Sequence, residues 1–313
     1  MKRVLVTGSS GSLGSEICRQ LVEKGNFDVS GCDIVPGKYT NRLFNLVKEI
    51  PSGYDNFDHI IHCAANIYGI NGFHNNAAKI LQNDTMMTMN LVSNLKNQHF
   101  VYLSSSMVYE RISSGECQEH MIEDIMVPKT DYGLSKLFGE RLTQTVTKSK
   151  GIPYTIWRPF NIITPHENPN GRSLGYSHVF ADFFENILVK KSNPIPIIGD
   201  GNQIRCFTWY EEVAQCIVDN LENEKTYNET FNIGNHEPIT MIRLANMIIN
   251  EGILRGYLNN DTEYSFATQF NIVDDVLIRI PSTTKTSVML NWQANVDTYE
   301  SVRRCIDVWE KRL

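Results

Sequence analysis

Val4-Leu5-Val6-Thr7-Gly8-Ser9-Ser10-Gly11-Ser12-Leu13-Gly14 stands almost at the start of the chain, and its glycines recur every third residue. Three apolar residues directly before a glycine loop read as a short buried parallel strand. Ser15 to Lys24 then carries Ile17, Leu21 and Val22 at helical spacing, with Gly25 as its stop. Strand, glycine loop and helix in that order make a phosphate cradle. Gly8 permits the tight turn, Gly11 lets the backbone approach a pyrophosphate, and Gly14 lets helix pack on strand. The helix N-terminus adds unsatisfied N–H groups and a partial positive charge.

Phe27 to Cys32 reads as the second strand, and Asp33 closes it, 19 residues beyond Gly14. A carboxylate there accepts hydrogen bonds from both ribose hydroxyls of NAD and would repel the 2′-phosphate of NADP, so NAD is the expected cofactor. The bland alternative is a surface Asp capping a turn. Arg42 would suit a phosphate, but the spacing of Leu43, Leu46, Val47 and Ile50 predicts a helix over Asn41 to Ile50 that leaves Arg42 solvated.

Further strands are expected at His59 to Cys63, Phe100 to Leu103 and Tyr154 to Trp157, the last ending at Pro159. Helices are expected at Lys79 to Lys96 and Tyr132 to Ser149. This alternation predicts an α/β fold, a Rossmann-type doubly wound parallel sheet over residues 1–160, with segments around 206–235 returning to it. Residues 161–313 are expected to form a smaller substrate-binding region. It opens with a loop over Pro165 to Tyr176, carries helices near 178–190, 210–222 and 240–251, and ends in an amphipathic helix near 298–311.

Bulk properties narrow the function. The 313 residues carry a formal charge of −6, which disfavours nucleic acid as a partner. The odd number of cysteines, seven, with no CxxC pair, reads as free thiols in a reducing cytosol, with neither a disulfide frame nor a metal site. The glycine loop begins by Gly8, leaving no room for an apolar leader, and no run of about 18 apolar residues suggests a membrane span. A cytoplasmic protein is the expectation.

Tyr132-Gly133-Leu134-Ser135-Lys136 sets a phenol and an ammonium at i and i+4 on one helix face. Such a lysine favours phenolate, so Tyr132 is expected to act as a general base toward a sugar hydroxyl while Lys136 holds nicotinamide ribose hydroxyls. Ser104-Ser105-Ser106 ends a predicted sheet strand, where a hydroxyl faces the ligand crevice and can steady the reacting oxygen. A half-exposed Tyr–Lys pair and an ordinary serine turn are the bland readings of either feature alone.

Together these pieces resemble the extended short-chain dehydrogenases/reductases of the NAD-dependent nucleotide-sugar epimerase/dehydratase family. The likeness covers nearly the whole chain. It includes His62-Cys63-Ala64-Ala65, Tyr102 to Tyr109, Arg158-Pro159-Phe160-Asn161, Gly199-Asp200-Gly201 through Arg205, and Asn232-Ile233-Gly234. It implies Ser105, four residues before Tyr109, as the catalytic serine beside Tyr132 and Lys136. It also implies cofactor contacts from Gly8, Ser10, Gly11, Ser12, Leu13, Gly14, Asp33, Ile34, Ala64, Ala65, Asn83, Leu103, Tyr132, Lys136 and Pro159. Substrate contacts are implied for Ser106, Met107, Asn161, His178, Arg205 and Arg279, with Arg205 suited to a diphosphate.

Within the family the chain looks most like the GDP-fucose synthase and GDP-mannose 3,5-epimerase types, through AANIYG, Asn83 with Met86, Met87 and Asn90, and Pro165-His166-Glu167-Asn168 before Ser177-His178. Family dehydratases carry an acidic pair after the catalytic residue, where this chain has Ser106 and Met107. GDP-fucose synthase carries Cys at the Met107 position, and a thioether exchanges no proton. His178 is therefore either an acid or a structural helix residue. The implied function is an NAD-dependent epimerase acting through a 4-keto intermediate on a nucleoside diphosphate hexose, with a GDP-sugar favoured. The alternatives are a 4-dehydrogenase/4-ketoreductase and a non-catalytic NAD-binding regulatory protein. The resemblance also implies a homodimer through a four-helix bundle of the helices around 79–97 and 132–149.

Overall fold

The computed structural model describes residues 1–112, 115–123, 127–167, 169, 172–270 and 276–310. The chain begins β1 (Lys2–Thr7), α1 (Ser12–Lys24), β2 (Phe27–Asp33), β3 (Thr40–Leu43) and β4 (His59–His62). It continues through α2 (Ile70–Asn75), α3 (Ala77–Ser93), β5 (His99–Leu103), β6 (Glu116–Cys117), α4 (Asp131–Lys150), β7 (Tyr154–Pro159) and β8 (Ile162–Ile163). Then come α5 (Val179–Phe184), β9 (Ile195–Ile198), β10 (Ile204–Cys206), β11 (Thr208–Trp209), α6 (Tyr210–Asp219), β12 (Glu229–Ile233) and β13 (Pro238–Thr240). The last elements are α7 (Met241–Leu254), β14 (Phe266–Phe270), β15 (Ile278–Pro281), α8 (Thr284–Leu290) and α9 (Thr298–Trp309). The expected final helix reached 311, and residue 311 lies outside the described residues.

Seven strands form the central sheet in the order β12-β7-β5-β4-β1-β2-β3, and every pairing is parallel. The chain winds outward from β1 through β2 and β3, then returns to the other side at β4. This reversal opens a crevice at the carboxyl ends of β1 and β4, where ligands bind in such sheets. Two apolar layers sandwich the sheet. One holds Val4, Val6, Ile17, Leu21 and α6 residues such as Val213 and Ile217. The other holds Leu5, Ile60, Phe100, Ile156 and the α3 residues Leu91 and Val92. A third cluster around Phe180, Phe184, Leu244, Ile248, Val302 and Trp309 builds the core of the later region. There a smaller sheet runs β13-β10-β15-β6.

The helix expected over Asn41 to Ile50 is absent. Thr40–Leu43 is the edge strand β3, with Arg42 paired to Cys32 of β2. Leu43 is exposed, while Leu46 is buried beneath the sheet. The Asn45 side chain accepts a hydrogen bond from Val47 N–H at 3.0 Å, and such local bonding competes with helix formation. Arg42 is consequently a strand residue, and its guanidinium donates to Ser52 O at 2.8 Å.

Candidate active site

A cavity of about 850 Å³ opens at the sheet's switch point. Gly8, Gly11, Ser12, Leu13 and Gly14 form one part of its wall, with Asp33, Ile34, Ala64, Ala65, Asn83, Leu103 and Pro159. The loop accepts nothing but glycine at two points. A Cβ on Gly8, whose φ is +73°, would lie 2.7 Å from Ala64 N, and one on Gly14 would overlap the Gly8 carbonyl. Asp33 is fixed by three backbone donors: Ser10 N–H at 3.0 Å, Ile34 N–H at 2.7 Å and Val35 N–H at 3.2 Å. It thus caps the turn and lines the cavity at once. Ser10 turns its side chain toward Val35 and Thr40. Its hydroxyl donates to Val35 O at 2.8 Å and lies 2.7 Å from Thr40 Oγ1. A cradle of glycine backbone with a carboxylate at its rim suits a dinucleotide.

Ser105, Tyr132 and Lys136 line the same cavity. Ser105 follows the end of β5 by two residues and caps the short turn after it, its Oγ accepting from Met107 N–H at 3.2 Å. Tyr132 and Lys136 sit one turn apart on α4. The start of that helix is pinned by Thr130, whose hydroxyl accepts from Gly133 N–H at 3.0 Å while its own N–H donates to Glu110 Oε2 at 2.7 Å. Gly133 permits this approach, since a Cβ there would meet Met107 O at 2.7 Å. The Tyr132 ring stacks on Phe73 of α2 at 4.3 Å between centroids. Lys136 Nζ donates to Leu103 O at 2.9 Å and lies 5.7 Å from the Tyr132 ring centre.

Burial pushes the Tyr132 phenol above its ordinary value and the Asp84 carboxylate adds to this, while a hydrogen bond with Ser105 and the Arg279 charge pull it back. Lys136 is itself lowered by burial, against support from Asp84, Cys63 and Glu140.

The cavity wall continues through Ser106, Met107, Asn161, His178, Arg205 and Arg279. Arg205 and Arg279 are direct register partners on β10 and β15, and both buried side chains line the cavity. Arg279 Nη2 donates to Asn161 Oδ1 at 3.0 Å, and Asn161 Nδ2 donates to Cys206 O at 2.9 Å. Arg279 Nη1 also approaches the Met107 sulfur. Paired planar cations suit a diphosphate. His178 precedes α5 and is held by Glu167, which accepts from its backbone N–H and meets Nδ1 at 2.8 Å. Burial lowers the His178 pKa, but the Glu167 charge and hydrogen bond outweigh it, and the imidazole stands raised.

Sequence reasoning assigned no role to Asp84, Glu110, Glu140, Glu167 or Asp182. Glu167 was visible only within the Pro165–Asn168 stretch, whose Asn168 lies outside the described residues. Asp182 lines the cavity, and burial pushes its carboxyl up to about 7. Glu110 also lines the cavity, Asp84 and Glu140 do not, and no local spacing marks any of the three.

The model of the NAD dependent epimerase/dehydratase family matches residues 4–234. The chain belongs to that family. This epimerase/dehydratase is 30% identical over 271 residues to an uncharacterised UDP-glucose epimerase of Bacillus subtilis, covering 79% of this chain and 81% of the relative. It is 25% identical over 263 residues to a GDP-mannose 3,5-epimerase of Oryza sativa subsp. indica, covering 79% and 68%. Its fold matches the crystal structure of a UDP-glucuronic acid 4-epimerase from Bacillus cereus, in complex with UDP-glucuronic acid and NAD, at a TM-score of 0.80. That match is 22% identical and covers 99% of this chain and 100% of the other. Among the described residues no helix is long and apolar enough to cross a membrane, and no cluster of metal-ligating side chains exists.

Proposed function

We propose that this family member is an NAD-dependent epimerase of a nucleoside diphosphate hexose, working through a 4-keto intermediate. One observation carries the reading: Ser105, Tyr132, Lys136 and the Arg205/Arg279 pair line one cavity with the glycine cradle. The two guanidiniums would hold the diphosphate and aim the sugar at the phenol. Tyr132 would take the proton of the C4 hydroxyl while Ser105 steadies that oxygen. NAD supplies the acceptor for the C4 hydride. Lys136 would hold the nicotinamide ribose. Returning hydride to the opposite face of C4 needs no second base, which suits a site with Ser106 and Met107 beside Ser105.

The GDP preference rests on the likeness of the loop after β4 and of Pro165–His178 to GDP-sugar enzymes. A thermal-shift panel of UDP-, GDP-, dTDP- and CDP-hexoses, each with NAD, tests it. A GDP-hexose is expected to give the largest shift, and a larger shift with another base overturns that preference. An epimerase converts its sugar without net NADH. Stoichiometric NADH formation would instead make the enzyme a 4-dehydrogenase.

We also infer a homodimer through α3 and α4. Ile80, Met87, Leu91 and Leu137 are spent on the monomer's own core, while Met86, Met89 and Phe138 remain exposed on these two packed helices. Sedimentation should find a dimer that a Phe138→Glu substitution splits.

A further inference from the structure

Asn161 stands on the turn between β7 and β8 with its backbone in the left-handed region, φ +34°, which asparagine tolerates better than most residues. The turn is held on both sides. Phe160 N–H donates to Ile233 O at 3.0 Å, and Thr208 N–H donates to the Asn161 carbonyl at 3.1 Å. Both ends of the side-chain amide are engaged inside the protein. Nδ2 donates to the carbonyl of Cys206, the residue after Arg205 on β10, and Oδ1 accepts from Arg279 Nη2 on β15 at 3.0 Å. Met107 meets the other arm of the same guanidinium, its sulfur against Nη1, while its backbone N–H donates to Ser105 Oγ at 3.2 Å. An unbroken series of contacts therefore runs from Ser105 through Met107, Arg279 and Asn161 to the strand that carries Arg205. It leads from the end of the seven-stranded sheet to the smaller sheet. Ser105, Met107, Asn161, Arg205 and Arg279 all line the one cavity.

We propose that Asn161 is a positioning residue that acts on the substrate through Arg279, locking that guanidinium at a fixed span from Ser105. An arginine side chain has many rotamers, and a ligand that must freeze them binds less tightly. Arg279, gripped on Nη2 by an amide and on Nη1 by a thioether, is frozen before the ligand arrives. A diphosphate seated on it then carries its hexose to a set distance from Ser105 and Tyr132, so the same lock helps to select the carbon that meets the phenol. This role replaces the direct substrate contact that the sequence resemblance implies for Asn161. The inference rests on the reading of Arg205 and Arg279 as the holders of the diphosphate.

The test is a double-mutant cycle on the full chain with NAD present. The probe is whichever of UDP, GDP, dTDP and CDP gives wild type the largest thermal shift, and its affinity is measured by isothermal titration. Asn161→Gly removes the amide and accepts the positive φ. Alone, it is expected to weaken the nucleoside diphosphate about fivefold or more. In an Arg279→Met background the same change should cost less than about twofold, because the group it positions is gone. An equal loss in both backgrounds overturns the proposal, since a residue that touches the ligand itself, or one that merely supports the fold, does not need Arg279 to be felt. No loss in the wild-type background overturns it as well. Should Asn161→Gly not fold, a crystal structure of wild type with the same nucleoside diphosphate decides. There the Asn161 amide must still bridge Arg279 and Cys206, and a bond from it to a phosphate oxygen overturns the proposal. A wild type that binds none of the four nucleoside diphosphates defeats the reading of the arginine pair, and the proposal with it, a result distinct from equal losses in the cycle.

Discussion

Glu140 holds Arg158 through two parallel hydrogen bonds, Oε1 to Nε at 2.8 Å and Oε2 to Nη2 at 2.7 Å, with both side chains almost wholly out of solvent. Ser104 Oγ donates to the same carboxylate, and Arg158 Nη1 meets Tyr109 Oη at 2.6 Å. The pair therefore ties α4, which carries Tyr132 and Lys136, to β7 and to the segment bearing Ser105. Removing one partner strands the other charge. Glu140→Ala is expected to cost about 3–5 kcal/mol in denaturant unfolding. A loss below about 1 kcal/mol would show that this network does not hold the helix.

Gly14→Ala should abolish cofactor binding more than it harms the fold. The new Cβ would overlap the Gly8 carbonyl and push the cradle open. Isothermal titration is expected to show NAD affinity reduced at least about tenfold, roughly 1.4 kcal/mol. Unchanged affinity would remove the loop from the cofactor site.

The local signals were legible in the sequence because each needs only neighbours along the chain. The glycine loop, Asp33 at the end of β2, and the i, i+4 spacing of Tyr132 and Lys136 are of this kind, and so is most of the alternating sheet. What escaped depends on contacts between distant segments. Arg205 and Arg279 adjoin only because β10 and β15 pair in parallel. The apolar spacing over 41–50 imitated a helix. Parallel pairing with β2 and the Asn45 turn decided otherwise.

The two arginines make a prediction about substrate. Arg205→Met and Arg279→Met should each weaken nucleotide-sugar binding about tenfold or more, with NAD affinity unchanged. Equal loss of both affinities would mean that the pair supports the fold and does not meet the diphosphate.

His59 and His99 lie at the opposite, amino ends of β4 and β5, their rings 5.4 Å apart. Burial lowers His59 to about 4 and His99 to about 3. A histidine held neutral in the fold binds its proton in the unfolded chain first, so its contribution is full above about pH 6.5 and falls as the pH drops toward 4. His59→Gln removes one such group. Relative to wild type, this variant should gain about 2–3 kcal/mol between pH 7 and pH 4. A stability difference that stays constant across that range contradicts the buried neutral state.

The hydride-transfer centre is tested most directly by Tyr132→Phe, assayed with NAD and the nucleotide-sugar that gives the largest thermal shift. Wild type is expected to interconvert the sugar with no net NADH, and the variant to bind NAD and sugar as before but turn over at least about a thousandfold more slowly. A Tyr132→Phe enzyme with near wild-type turnover would contradict that expectation.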